Sequence, residues 1–131
     1  MMTKADYVRY WMDTADDNWQ EIQAMVQAGT YLPALFWAHL TIEKLSKALW
    51  VKENVADIPP RIHNILRLLS ATSFVLTPQQ DSLVTQLNSF QLEGRYPDYH
   101  QALRQLATAS YTTALLTEVA DLRQCLLAML P

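Results

Sequence analysis

The stretch FQLEGRYPDYH, residues 90–100, separates two long helical patterns and contains one of the two glycines of the chain. Gly94 can adopt the left-handed backbone conformation that ends a helix, and Pro97 suits the first turn of the next helix. Arg95 and His100 are therefore predicted at a helix junction, close to backbone N–H groups that have no helical partner. A junction of this kind favours anions such as phosphate.

Length and composition predict one globular domain covering residues 1–131. A chain of this length can bury about two-thirds of its unfolded surface. Half of the residues are hydrophobic and only two are glycine, which excludes disordered and collagen-like chains. The formal net charge of -3 does not favour broad electrostatic attachment to nucleic acid or anionic lipid, although it leaves room for a local basic patch.

The sequence predicts a soluble cytoplasmic protein. Its single cysteine, Cys125, cannot form an internal disulfide, which suits a reducing compartment. Lys4, Asp6 and Arg9 interrupt any apolar stretch that could serve as a signal peptide. The most apolar segment, residues 31–40, is far shorter than the roughly 20 residues that span a bilayer, so no membrane is expected as a partner.

Apolar residues at helical spacing predict two long helices before residue 55. The first runs from about Ala5 to Ala28 and ends at Gly29. The second runs from about residue 32 to residue 52, with Pro33 in its first turn, where proline is tolerated. Apolar residues cover more than half of this second helix, so we expect it at the centre of the core.

Three further helices are predicted in the rest of the chain. Helix three, about residues 62–72, follows the extended Pro59-Pro60 turn. Helix four begins with a capping box at residues 77–80, and helix five runs unbroken over about residues 98–129. No alternating pattern typical of strands is present. The expected fold is an all-α, up-down bundle of four long helices plus one short helix.

One polar row interrupts the apolar second helix. His39, Glu43 and Lys47 follow one another at intervals of four residues and therefore share one face. The favoured interpretation is an ion-pair row on the protein surface. The alternative is that Glu43 faces inward and pairs with a cation from another element.

The common enzyme motifs are absent from the sequence. It has no Glu-x-x-His pair, no HExxH, no CxxC, no phosphate-binding glycine-rich loop and no GxSxG, so no metal and no cofactor are expected. Arg95 and His100 remain as candidates. Cleavage of RNA without a metal needs a base for the 2′-hydroxyl proton and a cation for the charge on phosphorus. The alternatives are a helix-end ion pair for Arg95 and an exposed first-turn residue for His100.

Three stretches resemble the HEPN family, compact helical proteins often encoded beside a minimal nucleotidyltransferase. They are ALFWAHLTIEKLSKAL (residues 34–49), PPRIHNILRLL (59–69), and LNSF followed by GRYPDY (87–99). The resemblance implies a bundle of four or five helices that usually forms a homodimer. Many members are ribonucleases and toxins of toxin–antitoxin modules, with an Arg-x4-6-His motif brought together across the dimer interface.

Carried over by position, Arg95 and His100 match this catalytic motif. We expect Glu43 to pair with Arg95 and orient it, and His39 to line the same cleft. Arg61 and His63 form a second cationic cluster at the start of helix three, with capping and solvated charge as the alternative. The residues expected to bind RNA or a nucleotide, or to support the site, are His39, Glu43, Lys47, Arg61, His63, Tyr96, Asp98 and Tyr99.

The resulting functional prediction is half of a HEPN/nucleotidyltransferase module of the toxin–antitoxin type, with metal-independent ribonuclease activity. A homodimer is expected, with a minimal nucleotidyltransferase as partner and RNA or a nucleotide as ligand. The alternative is a non-catalytic module that binds a nucleotide or a partner protein. A third reading is purely structural and treats every polar cluster as support for the fold.

Overall fold

A computed structural model describes residues 1–91 and 96–131. Six helices and no strand are present in these residues, which confirms the predicted all-helical fold. The part of the junction that contains Gly94 and Arg95 lies outside the described residues. The helices are α1 (Lys4–Gln27), α2 (Tyr31–Glu53), α3 (Ile65–Ser70), α4 (Pro78–Asn88), α5 (Pro97–Leu106) and α6 (Ala109–Leu127).

Local capping rules explain where α1 begins and ends. The hydroxyl of Thr3 accepts a hydrogen bond from the backbone N–H of Asp6, and the Asp6 carboxylate accepts one from the backbone N–H of Thr3. This capping box satisfies two of the free N–H groups at the helix start. At the other end Gly29 has φ +75°, a left-handed conformation that glycine adopts without steric cost. The chain then turns directly into α2.

The second helix is the centre of the bundle, as its wide apolar surface predicted. It packs against α1 along its length and also contacts α3, α4, α5 and α6. Its side chains are buried on all sides, because neighbouring helices cover it from several directions. The fully buried apolar residues of α2 are Ala34, Leu35, Ala38, Ile42, Leu45, Ala48, Leu49 and Val51.

The third helix is shorter than predicted. It begins at Ile65 rather than near residue 62, because the side chain of Asn64 accepts a hydrogen bond from the backbone N–H of Arg67 and caps the helix there. Arg61 and His63 therefore lie in the extended segment before α3 and not in its first turn. In contrast, the predicted capping box of α4 is present, with Thr77 and Gln80 bonded reciprocally.

The prediction of one unbroken fifth helix over residues 98–129 is wrong. The helix is interrupted at Ala107 and Thr108, where the backbone leaves the helical region with ψ values of 61° and 166°. The Thr108 hydroxyl accepts a hydrogen bond from the N–H of Tyr111, 3.2 Å away, and so begins a new helix. Threonine competes in this way with the helical backbone. Because the helix is interrupted, α5 can change direction and contact the start of α2. The next helix, α6, packs along α2 and α4.

Buried aromatic contacts hold the two described ends of the junction. Phe90 is fully buried directly after α4, and its ring centroid lies 6.2 Å from that of Tyr111 in α6. The hydroxyl of Tyr99 donates a hydrogen bond to the backbone oxygen of Ser89, 3.3 Å away. Pro97 is the first residue of α5, as predicted. These contacts anchor the chain on both sides of residues 92–95.

Candidate functional site

The predicted surface ion-pair row on α2 is in fact buried, and Glu43 is its centre. One carboxylate oxygen of Glu43 accepts a hydrogen bond from the Lys47 ammonium, 3.0 Å away, and the other lies 3.1 Å from Nδ1 of His63. Glu43 is only 3% exposed. The favoured surface interpretation is therefore wrong, because the segment before α3 covers this face of α2. The alternative is confirmed in part: Glu43 faces inward and bonds His63 from another element, whereas its ammonium partner Lys47 lies on the same helix.

His39 completes this buried polar cluster. Its Nε2 lies 3.0 Å from the backbone oxygen of His63, so Nε2 carries the proton and donates. Its Nδ1 lies 3.7 Å from a carboxylate oxygen of Glu43 and has no hydrogen-bond partner among the described residues. Burial lowers the pKa of His39, and the nearby Glu43 carboxylate opposes that shift only in part. The imidazole of His39 is therefore neutral near pH 7.

The ammonium group of Lys47 links the cluster to α1. Its nitrogen lies 5.2 Å from the ring centroid of Trp11, a cation–π contact. The cluster of His39, Glu43, Lys47 and His63 thus joins α1, α2 and the segment before α3. Three of these four side chains are buried, so the geometry favours the supporting role over ligand contact. The predicted pairing of Glu43 with Arg95 falls outside the described residues.

The lowered pKa of His39 predicts a pH-dependent stability. The unfolded state binds more protons than the folded state below about pH 6.5, the ordinary pKa of the group, so folding stability falls as the pH decreases through that range. The slope reaches at most about 1.4 kcal/mol per pH unit for one proton. His39→Gln should flatten the curve of unfolding free energy against pH between about pH 7 and 5.

The charged or titratable groups that face His39 are Glu43 and His63, and both remain in the variant. His100→Gln is the matched histidine replacement, because it removes an imidazole from α5, outside the buried cluster. Urea unfolding at several pH values measures the difference. Equal slopes for wild type and His39→Gln would contradict the prediction.

A second candidate site lies where α5 meets the start of α2. His100 and Arg104, one helical turn apart, line a cavity of about 440 Å³ whose other wall is formed by residues 29–33. The same two side chains line an adjoining cavity of about 280 Å³ with Pro97 and Gln101. The hydroxyl of Thr30 bonds to the backbone oxygen of Met25 and does not cap α2. The arrangement places an imidazole and a guanidinium group beside an open pocket.

Arg104 was not among the site residues predicted from the sequence. The four-residue spacing from His100 was the available signal, because it places both side chains on one face of a helix. Tyr31, on the opposite wall, could not be paired with His100 from the sequence, since 69 positions separate them and only the tertiary fold brings α5 to the α2 start.

The other predicted site residues do not gather at one place. Tyr96 and Asp98 are exposed at the beginning of α5, whereas Tyr99 is half-buried and bonds to Ser89. Arg61 is exposed in the segment before α3. His39 lies about 10 Å along the axis of α2 from the residues of that helix that line the cavity. The buried cluster around Glu43 and the cavity beside His100 are therefore separate features.

Within residues 1–91 and 96–131, no helix combines the length and the hydrophobicity that a transmembrane span needs.

Comparison with known proteins identifies the family of this fold. The family model described as HEPN domain matches residues 8–125 of the 131-residue chain, which includes all six helices in whole or in part. Neither the comparison with curated proteins nor the comparison with solved structures gave a significant match. The family match agrees with the helical architecture and covers the junction, the buried cluster and the cavity. This chain belongs to the HEPN domain family.

Proposed function

We propose that this HEPN-domain protein is a metal-independent endoribonuclease in which Arg95 and His100 act on the phosphodiester. The observation that carries the proposal is the position of His100, which lies in the first turns of α5 and lines an open cavity together with Arg104. Four residues separate Arg95 from His100, the spacing of the Arg-x4-6-His motif. In this motif the histidine supplies the base and the arginine supplies the permanent cation that this chemistry needs.

In the proposed reaction the imidazole of His100 removes the proton of the ribose 2′-hydroxyl. The 2′-oxygen attacks the adjacent phosphorus, and the bond from phosphorus to the 5′-oxygen breaks. The proton returns to that 5′-oxygen, so the products are a 2′,3′-cyclic phosphate and a 5′-hydroxyl end. The guanidinium group of Arg95 stabilises the negative charge that develops on the non-bridging oxygens.

The proposed active form is a homodimer in which the two Arg95–His100 pairs meet at the interface. The proposed biological setting is a cytoplasmic toxin–antitoxin module in which a minimal nucleotidyltransferase is the partner protein. An apolar groove between α1 and α6 is about 470 Å³ in volume and is lined by Trp19, Val26 and Leu116. This groove provides an apolar surface for association with the partner protein. The second candidate function, a module that binds a nucleotide without cleaving it, is favoured by the same cavity beside His100.

Incubation of the purified protein with single-stranded RNA in the presence of a chelator tests the proposal. The wild-type protein should release fragments with 2′,3′-cyclic phosphate and 5′-hydroxyl ends. A double variant, Arg95→Ala with His100→Ala, purified in the same way, reports any contaminating nuclease. Equal cleavage by both proteins would refute the proposed site, and binding without cleavage by the wild type would favour the second candidate function.

A further inference from the structure

The cavity between α5 and the start of α2 carries two kinds of binding group that the cleavage chemistry does not use. Arg104 lies one turn after His100 on the same face of α5. Tyr31, the first residue of α2, lines the opposite wall. A volume of about 440 Å³ falls within the range of about 300–1,000 Å³ that is typical of small-molecule sites.

Among residues 1–91 and 96–131, no carboxylate pairs with the guanidinium group of Arg104. The Arg104 side chain is exposed. By comparison, Arg123 is held by Asp16 at 3.2 Å and stacks over the ring of Trp19. An exposed guanidinium group that lines a cavity favours a phosphate, which it can bind through two parallel N–H groups.

Tyr31 offers a different surface to the same cavity. It is half-buried, packs against the hydrophobic core and also lines the cavity. Single-stranded nucleic acid is commonly bound by aromatic rings on which unstacked bases lie, combined with cations that contact the backbone. Arg104 and Tyr31 supply one group of each kind.

We propose that Arg104 and Tyr31 form a subsite for the nucleotide next to the scissile phosphate in single-stranded RNA. Arg104 binds the neighbouring phosphate, and the ring of Tyr31 stacks on the base. The Cβ atoms of residues one helical turn apart lie about 5–6 Å from each other, which is similar to the step between successive phosphates of a strand. The assignment of the adjacent scissile phosphate to His100 rests on the proposed function.

Binding of a short single strand with 2′-O-methyl groups throughout tests the subsite, because the blocked 2′-oxygen prevents cleavage. Fluorescence anisotropy at several salt concentrations gives Kd and its salt dependence. Arg104→Gln should weaken binding about tenfold and reduce the slope of log K against log salt by about 0.7. Tyr31→Leu should also weaken binding about tenfold, because it keeps an apolar contact with the core but loses the aromatic face.

Two matched controls separate these effects from general loss of charge or folding. Arg67→Gln removes an exposed arginine from α3, which does not line the cavity, and should change Kd by less than about twofold. Tyr31→Phe retains the ring and should bind as tightly as the wild type. Thermal unfolding of each variant confirms that the fold is retained.

The proposal is overturned if the wild type does not bind the strand, or if Arg104→Gln binds no more weakly than Arg67→Gln. It is also overturned if Tyr31→Phe loses as much affinity as Tyr31→Leu. The proposed subsite and the proposed catalytic pair can be refuted independently of each other. Loss of binding in Arg104→Gln, combined with RNA cleavage that is unaffected by replacement of Arg95 and His100, would retain the subsite and refute the proposed catalytic pair.

Discussion

Glu43→Ala is expected to lower the free energy of unfolding by about 3–5 kcal/mol, the usual cost of removing one partner of a buried ion pair. The carboxylate accepts a hydrogen bond from the buried Lys47 ammonium at 3.0 Å and lies 3.1 Å from Nδ1 of His63. Removing it leaves the ammonium of Lys47, which is only 7% exposed, without a counter-charge. The segment before α3 also loses one of its bonds to α2, while the bond from His39 to the backbone oxygen of His63 remains.

Urea unfolding of wild type and variant measures this difference. Asp13→Ala is the matched control, since it removes the carboxylate of an exposed pair with Arg9 at 4.0 Å, and its cost should stay below about 1 kcal/mol. Equal effects for Glu43→Ala and Asp13→Ala would contradict the structural role of the cluster. The double variant Glu43→Leu with Lys47→Met should recover most of the stability, because it removes both charges and retains apolar volume.

Under the proposed mechanism, His100→Ala is expected to slow RNA cleavage by about 10²–10⁴-fold, the contribution of a positioned general base. Because His100 is half-buried on α5 and lies outside the hydrophobic core, its loss should leave the fold intact. The variant should therefore keep its melting temperature and lose kcat, which distinguishes a chemical role from a structural one. Cleavage of a labelled RNA under single-turnover conditions measures the rate.

Arg95→Ala is the companion variant and should slow cleavage by about 10²–10³-fold, the usual effect of removing one group that stabilises transition-state charge. Arg95→Lys should recover only part of this loss, because an ammonium keeps the charge but cannot bind two oxygens side by side. His100→Gln should remain as inactive as His100→Ala, since an amide does not exchange protons near neutral pH. Cleavage at the wild-type rate by His100→Gln would argue against general-base catalysis.

Several helix boundaries could be predicted because they depend on short-range interactions. Gly29, with its positive φ, follows the end of α1, and Pro97 is the first residue of α5, where its fixed φ is tolerated. Thr77 and Gln80 form the predicted capping box at the start of α4. The same kind of local signal was overlooked at Thr108, whose hydroxyl caps α6 and divides what the apolar pattern alone suggested was one helix.

The candidate site was less predictable than the helices, because its parts come from distant positions in the chain. The spacing of His39, Glu43 and Lys47 shows that they share a face, but it does not show what covers that face. The segment that contains His63 covers it, which turns a predicted surface row into a buried cluster. Sequence spacing could connect His100 to Arg104, whereas no local pattern could bring Tyr31 to the same cavity.

The amino-acid sequence by itself determined the all-helical class, the central position of α2 and the resemblance to the HEPN family, because helical periodicity and capping operate within a few residues of each other. Only the tertiary structure decided which polar residues are buried and which line the cavity. Burial depends on the element that packs over a face, and the interruption at Ala107 and Thr108 determines where α5 lies. Contacts between distant segments therefore set the chemistry that each polar side chain can perform.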